Sequence, residues 1–231
     1  EFENFYVTSK KLNNSTSLED VLSVFSEKAK EIIDYDYSLF IFSDEEKKIN
    51  QIRGCQGVDK HLLGVEFPHD PDKNLISWVI KNKTPLDYSN LKENQNVRIF
   101  DDSIGFPYEF YSCFIVPFQV AGRSLGCSVF LSLANDGFSI NAKKMIETTA
   151  NQAAGSIQNI NVFKELEKMA TIDGLTGLYN HRTFQENIVL FLNRAQRRPE
   201  NISLVILDLD HFKSINDNFG HTMGDTILRS L

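Results

Sequence analysis

The sequence predicts an α+β protein with two parts: a longer one with helices and paired strands, and a shorter one that follows one long helix. Three observations support this prediction. Short apolar runs of strand length recur over residues 37–135, amphipathic stretches of helical period precede and interrupt them, and a helical pattern follows over 139–169. The 231 residues suit one large or two small domains, and the 42% apolar content with 18 Phe is ample for a core.

Charge and cysteine usage exclude several classes of protein. The net charge is −7, and acidic residues outnumber basic ones on both sides of residue 168, so we expect no nucleic-acid partner. Cys55, Cys113 and Cys127 are far apart and match neither a disulfide framework nor a zinc motif. We interpret them as small buried hydrophobic residues in a reducing, cytoplasmic setting. No signal peptide is expected, because no basic segment followed by an apolar run opens the chain.

Residues 110–135 have the length of a bilayer span but favour a different interpretation. Pro117 and the turn "AGRSLG" interrupt the apolar run, and its one charge, Arg123, would be costly in the middle of a membrane. Two strands joined by a turn explain the pattern better. We therefore expect no membrane segment in this chain.

The first 109 residues are predicted to hold two helices and three strands. Ser17 and Asp20 have capping-box spacing at the start of the first helix, and Asp72 is predicted to cap the second. A long polar loop in a compact domain usually covers something or is disordered. The predicted elements are a helix over 17–33, strands over 37–42 and 48–54, a helix over "LISWVIKNK", a strand in "TPLDYS" and a loop over 89–109.

The long helix predicted over 139–169 carries an apolar seam with a/d-type spacing for about two heptads. For the first half of the seam two interpretations stay open, packing on its own sheet or pairing with a second copy. For the second half, where the spacing slips, pairing is favoured. We expect a homodimer through helix 146–169 and domains at 1–168 and 169–231. The seam residues are Ile146, Ala150, Ala153, Ile157, Ile160, Phe163, Leu166 and Met169.

The order of elements over roughly 15–160 resembles a GAF domain. The resemblance rests on "LISWVIKNKTPLDYSNL", then "SCFIVPFQVAGRSLGCSVFLS", and a closing helix "IETTANQAAGSIQNI". It implies an antiparallel sheet with helices that either holds a small molecule in a GAF pocket or serves in dimerisation. No Cys stands beside a His, as bilin attachment in related modules requires, so the ligand stays unassigned. His61 and His69 are expected to be solvated or capping residues rather than metal ligands.

The C-terminal stretch "LVILDLDHFKSINDNFGHTMGD" places polar residues directly after an apolar run. The run over 202–209 is predicted to be a strand covered on both faces. Asp208 stands at its end, where open α/β sheets bind ligands, and a carboxylate suits a hard divalent cation. An EF-hand is excluded, because Phe212 and Lys213 occupy positions where its loop needs Asp or Asn and then Gly. A solvated Asp/Asn-rich turn is the other interpretation.

Two blocks, "ATIDGLTGLYNHRTF" and "LDLDHFKSINDNFGHTMGD", resemble the N-terminal half of a GGDEF domain, the diguanylate cyclase family, over about 169–231. The resemblance implies a Mg²⁺ ion held by Asp208 and the backbone carbonyl of Leu209, with Asp210 in a supporting role. It also implies an α/β cyclase fold, of which only the N-terminal part is present.

The resemblance further implies a GTP site made by Lys213, Asn216 and Asp225. The lysine lies near the triphosphate, where a point positive charge holds phosphate oxygens. The other two bind guanine, since a carboxylate accepts from its N–H groups and an amide both donates and accepts. We interpret the first block as structural, with Asp173 and Arg182 as candidate ion-pair partners. Its matching residues are Asp173, Leu175, Thr176, Asn180 and Arg182.

No catalytic set is complete in this sequence, because the Gly-Gly-Asp/Glu-Glu-Phe string that gives the family its name does not occur. We expect a piece of a longer enzyme rather than a naturally short product, and we predict no cyclase activity for these 231 residues. The parent is expected to be a sensor-regulated diguanylate cyclase that converts two GTP to cyclic di-GMP and pyrophosphate. The alternative is a non-catalytic ligand-sensing or dimerisation module with a degenerate GGDEF receptor domain.

Overall fold

The computed structural model describes residues 2–91, 98–101, 104–135, 137–197 and 201–230. It divides into two compact units, Glu1–Asn161 and Val162–Leu231. The predicted α+β class is confirmed. In chain order the elements are α1 (Phe2–Asn13), α2 (Leu18–Ile32), β1 (Tyr37–Asp44), β2 (Ile49–Gln56), a 3-10 turn (Lys60–Leu62), β3 (Glu66–Pro68), α3 (Leu75–Asn82), β4 (Leu86–Tyr88), β5 (Ser112–Val120), β6 (Arg123–Ser132), α4 (Ile140–Thr171), α5 (His181–Arg197), α6 (Phe212–Phe219) and α7 (His221–Ser230).

The first unit is built on a six-stranded sheet with strand order β3-β2-β1-β6-β5-β4. Every neighbouring pair is antiparallel. The two outer strands are only three residues long, which limits the unpaired edge that the sheet offers to other chains. All predicted strands of this unit are present.

The central hairpin β5–β6 shows why residues 110–135 are not a membrane span. Ala121 and Gly122 form its turn, with φ of 49° and 75°, and Val120 pairs with Arg123 across it. Two positive φ angles give the primed turn whose twist matches paired strands. Pro117 lies at an irregularity in the pairing, where a missing N–H is tolerated. Among the described residues, none of the helices combines the length and the apolar composition of a membrane span.

The sheet separates two apolar cores. On one face, α2 and α4 pack with Leu12 of α1 to form what we call the helix-side core. On the other face, α3 and the described part of the 89–109 loop cover the sheet, and Ile99 and Ile104 of the loop are buried there. The loop therefore covers a core, one of the two outcomes expected for it. Its residues 92–97 and 102–103 lie outside the described residues.

The helix caps partly follow the sequence prediction. At α2 the Ser17 hydroxyl accepts a hydrogen bond from the backbone N–H of Asp20 at 3.1 Å, as predicted. The cap predicted at Asp72 is wrong. Asn74 caps α3 instead, because its extended backbone places Oδ1 2.8 Å from the N–H of Ser77. Asp72 stands two residues too early for that geometry and belongs to the preceding turn.

The apolar seam of α4 has two different environments. Residues Ile146 to Ile157 of the seam are buried in the helix-side core of their own unit. Packing on its own sheet is therefore the correct interpretation of that half, and a dimer seam that begins at 146 is wrong because these side chains already have partners. Farther along, Phe163, Leu166 and Met169 are 70%, 59% and 76% exposed.

The second unit consists of the last part of α4, helices α5, α6 and α7, and the segment 201–209. The strand predicted over 202–209 is wrong: the segment is in no strand, and its Ile206 and Leu207 are 83% and 86% exposed. A strand needs hydrogen bonds from a neighbour, and the described part of this unit offers only one isolated bridge, between Ile172 and Tyr179. Ile202 and Leu204 do line an apolar cavity with Phe184 and Phe191 of α5.

Candidate functional site

The first GGDEF-like block forms a tight connection between α4 and α5, and Asn180 holds its two ends together. Its side-chain amide donates to the carbonyl of Ala170 at 2.8 Å, and its backbone N–H donates to the carbonyl of Thr171 at 2.9 Å. Its Oδ1 accepts from the N–H of Thr183 at 3.0 Å, which caps the start of α5. One residue thus satisfies orphan carbonyls at the end of one helix and an orphan N–H of the next.

Asp173 organises the turn inside this connection. Its Oδ1 accepts from the hydroxyl of Thr176 at 2.8 Å and from the N–H groups of Thr176 and Leu175. These hydrogen bonds, led by that of the Thr176 hydroxyl, lower the pKa of the Asp173 carboxyl below its ordinary value. The candidate ion pair between Asp173 and Arg182 is not formed, because Arg182 reaches Glu186 one helical turn along α5, at 3.0 Å.

The predicted metal ligands Asp208 and Leu209 lie in the segment before α6. Asp208 is exposed and Leu209 is half-buried. Within the described residues, no hydrogen bond or ion pair engages the Asp208 carboxylate, and no group of three or more His, Cys, Asp or Glu side chains gathers there or elsewhere. One free carboxylate and one carbonyl are hard oxygen donors that fit Mg²⁺ in type, and a bound phosphate would have to supply further oxygens.

The two predicted guanine-binding residues lie on the packed helix pair α6 and α7. Gly224 is buried, and a Cβ at that position would collide with Oδ1 of Asn216. The absence of a side chain at 224 therefore lets Asn216 of α6 rest against Gly224 of α7, the residue before Asp225. In this position Oδ1 of Asn216 is buried without a hydrogen-bond partner among the described residues. An unpaired buried acceptor is costly unless a ligand supplies a donor.

Lys213 is exposed in the first turn of α6. This helix begins after His211, whose backbone is left-handed with φ of 56°, and no described side chain caps the first turn. Lys213 thus stands in the first turn of a helix whose first N–H groups have no side-chain cap among the described residues, and such a helix end can bind anions.

The histidines and cysteines of the first unit follow most of their predicted roles. His61 is exposed, whereas Nδ1 of His69 lies 3.0 Å from Oδ1 of buried Asn50, and burial lowers the pKa of that imidazole. It is thus part of a buried polar network, which the sequence analysis missed. Cys113 and Cys127 are buried thiols, and burial raises the pKa of Cys113 to about 12. Cys55 is only half-buried.

Two features of the site were missed by the sequence analysis. Asn180 was interpreted as structural, but its link between two helices was not foreseen. An Asn directly before a helical pattern is an ordinary capping signal and could have shown half of that role. The contact of Asn216 with Gly224 had no local signal, because it joins two helices whose packing the sequence does not display.

Comparison with known proteins agrees with both resemblances. Residues 170–231 match the family model "Diguanylate cyclase, GGDEF domain". Diguanylate cyclase VdcA of Vibrio cholerae is 39% identical over 35% of this chain and 24% of that protein. Diguanylate cyclase DgcP of Escherichia coli is 26% identical over 95% of this chain and 65% of that protein. The chain thus spans less than two thirds of either relative.

The fold of the first unit is that of a GAF domain. The GAF domain of an Acinetobacter phosphoenolpyruvate-protein phosphotransferase superposes with a TM-score of 0.61 and 17% identity, over 70% of this chain and 94% of that one. The GAF domain of the corresponding Coxiella burnetii protein gives 0.61 and 16%, over 71% and 96%. The chain therefore has a GAF fold over its first unit, followed by residues that match the GGDEF family model.

Proposed function

We propose that this chain is the sensor and the first half of the catalytic domain of a diguanylate cyclase, with a domain boundary at 168/169. In the whole protein, two GTP molecules would condense to cyclic di-GMP with release of pyrophosphate. The proposal rests on the GGDEF-family match over 170–231 and on the local geometry of α6 and α7. We propose that the protein works in the cytoplasm, where its nucleoside triphosphate substrate GTP is found.

The observation that carries the proposal is the Oδ1 of Asn216, which is buried without a hydrogen-bond partner among the described residues and packs against Gly224, the residue before Asp225. Guanine presents N–H donors along one edge, which would pair with this oxygen and with the Asp225 carboxylate. Adenine lacks the N1–H and the exocyclic amine of guanine, so it would leave the same acceptors unpaired. Such a site discriminates between the two bases through the cost of unsatisfied polar groups.

The triphosphate is proposed to lie at the start of α6. Lys213 would hold phosphate oxygens there, together with the uncapped N–H groups of the first helical turn. The exposed carboxylate of Asp208 and the carbonyl of Leu209 would hold Mg²⁺ between the protein and the phosphates. When bound, Mg²⁺ would supply charge stabilisation for the in-line displacement at the α-phosphate.

Condensation of two GTP requires two half-sites to face each other, and we propose that α4 supplies the dimer. The part of the predicted seam that remains available is the exposed apolar stripe Phe163, Leu166 and Met169. Its exposure favours pairing with the same stripe of a second copy. The GAF unit would then control how the two stripes meet, in response to a ligand in its pocket.

These 231 residues alone are proposed to be inactive. The Gly-Gly-Asp/Glu-Glu-Phe hairpin, on which the family places its second metal-binding carboxylate, does not occur in the sequence. The alternative function is a degenerate GGDEF receptor controlled by the same sensor. In that case the hairpin of the whole protein would depart from the Gly-Gly-Asp/Glu-Glu-Phe string. An altered hairpin in the coding sequence would favour the receptor.

The test is cyclic di-GMP formation from GTP and Mg²⁺, measured by mass spectrometry, for the 231 residues and for the whole protein. We expect product only from the whole protein. Asp208→Asn should lower its rate by about 100-fold or more, because a metal ligand is lost. Asn216→Ala should lower the preference for GTP over ATP by about tenfold.

Asp217→Asn is the matched control, since Asp217 is exposed on α6 and has no proposed role. The rate of cyclic di-GMP formation by this variant should be unchanged. Activity of Asp208→Asn equal to that of the control, or product from the 231 residues alone, would overturn the assignment. Sedimentation of the whole protein should show a dimer, and a monomer that still makes product would refute the proposed role of α4.

A further inference from the structure

A cleft of about 340 Å³ opens on the helix side of the sheet in the first unit. Its floor is apolar, with Phe42 of β1, Leu125 of β6 and Ile157 of α4, all of which pack in or against the helix-side core. Its rim carries two exposed guanidinium groups, Arg53 of β2 and Arg123 of β6. We call this feature the helix-side cleft. It lies on the opposite face of the sheet from α3.

The charge of the helix-side cleft is opposite to that of the chain. The whole chain is acidic, with a net charge of −7, yet arginines from the two strands on either side of β1 meet here. Within the described residues neither arginine has a carboxylate within ion-pair distance, and Arg53 donates only to Oε1 of Gln51, at 3.1 Å. Exposed Glu45 also lines the cleft, so two cations stand against one carboxylate.

We propose that the helix-side cleft binds a small organic anion with one carboxylate or phosphate head and an apolar body about the size of an aromatic ring. Guanidinium groups bind both heads through paired N–H donors, more specifically than an ammonium does. The apolar floor removes the body of the ligand from water. The volume falls at the lower end of the range of small-molecule sites, about 300–1,000 Å³.

A ligand in the helix-side cleft would be able to influence the dimerisation proposed for α4. This step rests on the proposed function. Ile157 and Asn161 are the α4 residues that line it, and the exposed apolar stripe of the same helix begins at Phe163. A ligand here contacts α4 directly before the stripe proposed for dimerisation. Besides a ligand in the GAF pocket, a ligand in the helix-side cleft would therefore act on α4, from the face of the sheet opposite α3.

The test uses methyl NMR of Leu18, Leu125 and Ile157 in the 231-residue chain, titrated with phenylphosphate and with phenylacetate. We expect saturable shifts at these methyl groups, with a dissociation constant on the order of 1 mM or lower for at least one probe. Inorganic phosphate, which lacks the apolar body, and benzyl alcohol, which lacks the charge, should each bind about tenfold more weakly. The stronger of the two phenyl probes identifies the head group.

Arg53→Gln and Arg123→Gln should each weaken binding of the stronger probe about tenfold or more, because a charged hydrogen-bond donor is lost. Arg123→Lys, which keeps the charge without the paired donors, should be intermediate. Arg182→Gln is the control, since it removes the same charge at an exposed position on α5, and should leave binding unchanged. Urea midpoints followed by Trp78 fluorescence check that all four variants are folded.

Shifts that stay linear in probe concentration, or that are equal in Arg123→Gln and in the control, would overturn the proposal. Equal binding of benzyl alcohol would do so as well, because the arginines would then have no part in recognition. The titration contains no GTP and does not require a dimer. Its failure therefore leaves the cyclase assignment intact, and a failed cyclase assay leaves the cleft intact.

Discussion

The two units of the chain contain similar apolar patterns but bury them to very different extents. In the first unit the large side chains Phe25, Phe40, Phe118 and Phe130 are buried in one cluster. Among the described residues of the second unit only Thr183 and Gly224 are buried. The difference lies in the sheet: the first unit pairs six strands, whereas no strand lies beside the apolar run 202–209 in the part of the second unit that the structure describes.

The comparison separates local from non-local requirements of folding. An α-helix forms its backbone hydrogen bonds within one segment, so α5, α6 and α7 are present although their apolar faces remain open to solvent. A strand forms them with another segment, and residues 202–209 belong to no strand and leave Ile206 and Leu207 exposed. In the described part of the second unit, the helices are therefore formed, whereas the apolar run 202–209 forms no strand.

The largest predicted effect is the loss of a buried ring from the first unit. Phe25 is fully buried and makes edge contacts with Phe40 and Phe118, at centroid distances of 5.9 and 5.4 Å. Phe25→Ala should lower the free energy of unfolding by about 3–5 kcal/mol, because it leaves a cavity. Urea denaturation followed by the fluorescence of Trp78, the only tryptophan, measures this loss.

The matched change in the second unit is Phe191→Ala. Phe191 is 55% exposed, so the free energy of unfolding followed by far-UV circular dichroism should change by less than about 1 kcal/mol. Equal losses of unfolding free energy in Phe25→Ala and Phe191→Ala would contradict the conclusion that the first unit has a buried core and the second has not.

A second pair of substitutions compares backbone packing in the two units. A Cβ at Gly126 in β6 would collide with the carbonyl oxygen of Ile41 in β1, whereas a Cβ at Gly174 would have nothing within 4 Å. Gly126→Ala should therefore cost about 1–3 kcal/mol of unfolding free energy. Gly174→Ala should stabilise by about 0.4–1 kcal/mol, since alanine restricts the unfolded chain. Thermal denaturation of both variants checks the signs, and a loss at Gly174 comparable with that at Gly126 would show that the second unit is tightly packed there.

The elements that could be predicted from sequence are those specified by their own residues. The Ser17 cap, the turn at Ala121–Gly122 and the helices on either side of the sheet follow from local rules. The sequence predicts Asp72 as the cap of α3, whereas Asn74, whose residue type also caps helices, occupies the cap position with an extended backbone. The first half of the α4 seam could face its own sheet or a second chain, and spacing alone does not choose between these partners.

For the candidate site, the sequence predicted the residue types and their order but not their contacts. Asp208, Lys213, Asn216 and Asp225 were identified through a resemblance. The packing of Asn216 on Gly224 depends on how α6 meets α7, which is a tertiary property. The cleft bounded by Arg53 and Arg123 was also unforeseen, because the two arginines are far apart in sequence and meet only through the order of strands in the sheet.

A smaller effect is expected at the connection that joins α4 to α5. Asn180→Ala removes the side-chain bonds to Ala170 and Thr183, and loss of such a helix cap typically costs about 1 kcal/mol. We expect faster amide hydrogen exchange over residues 170–184 with little change in the sheet of the first unit. Asn193→Ala on the exposed side of α5 is the control. If amide hydrogen exchange becomes faster throughout the chain in Asn180→Ala, the connection stabilises both units and not only the second unit, in which it lies.

The smallest effect is a pH dependence confined to the turn at Asp173. Its carboxyl pKa is lowered in the folded chain, chiefly by the Thr176 hydroxyl, so the folded state favours the ionised form. The resulting stabilisation is fully present above the unfolded pKa, for which the ordinary value is 3.8, and is lost as the pH falls through the lower folded pKa. An NMR titration of the Asp173 carboxyl carbon should give a midpoint below 3.8. Thr176→Val keeps the backbone N–H but removes the hydroxyl, so it should move the midpoint upward, whereas an unchanged midpoint would show that the backbone hydrogen bonds alone hold the carboxylate.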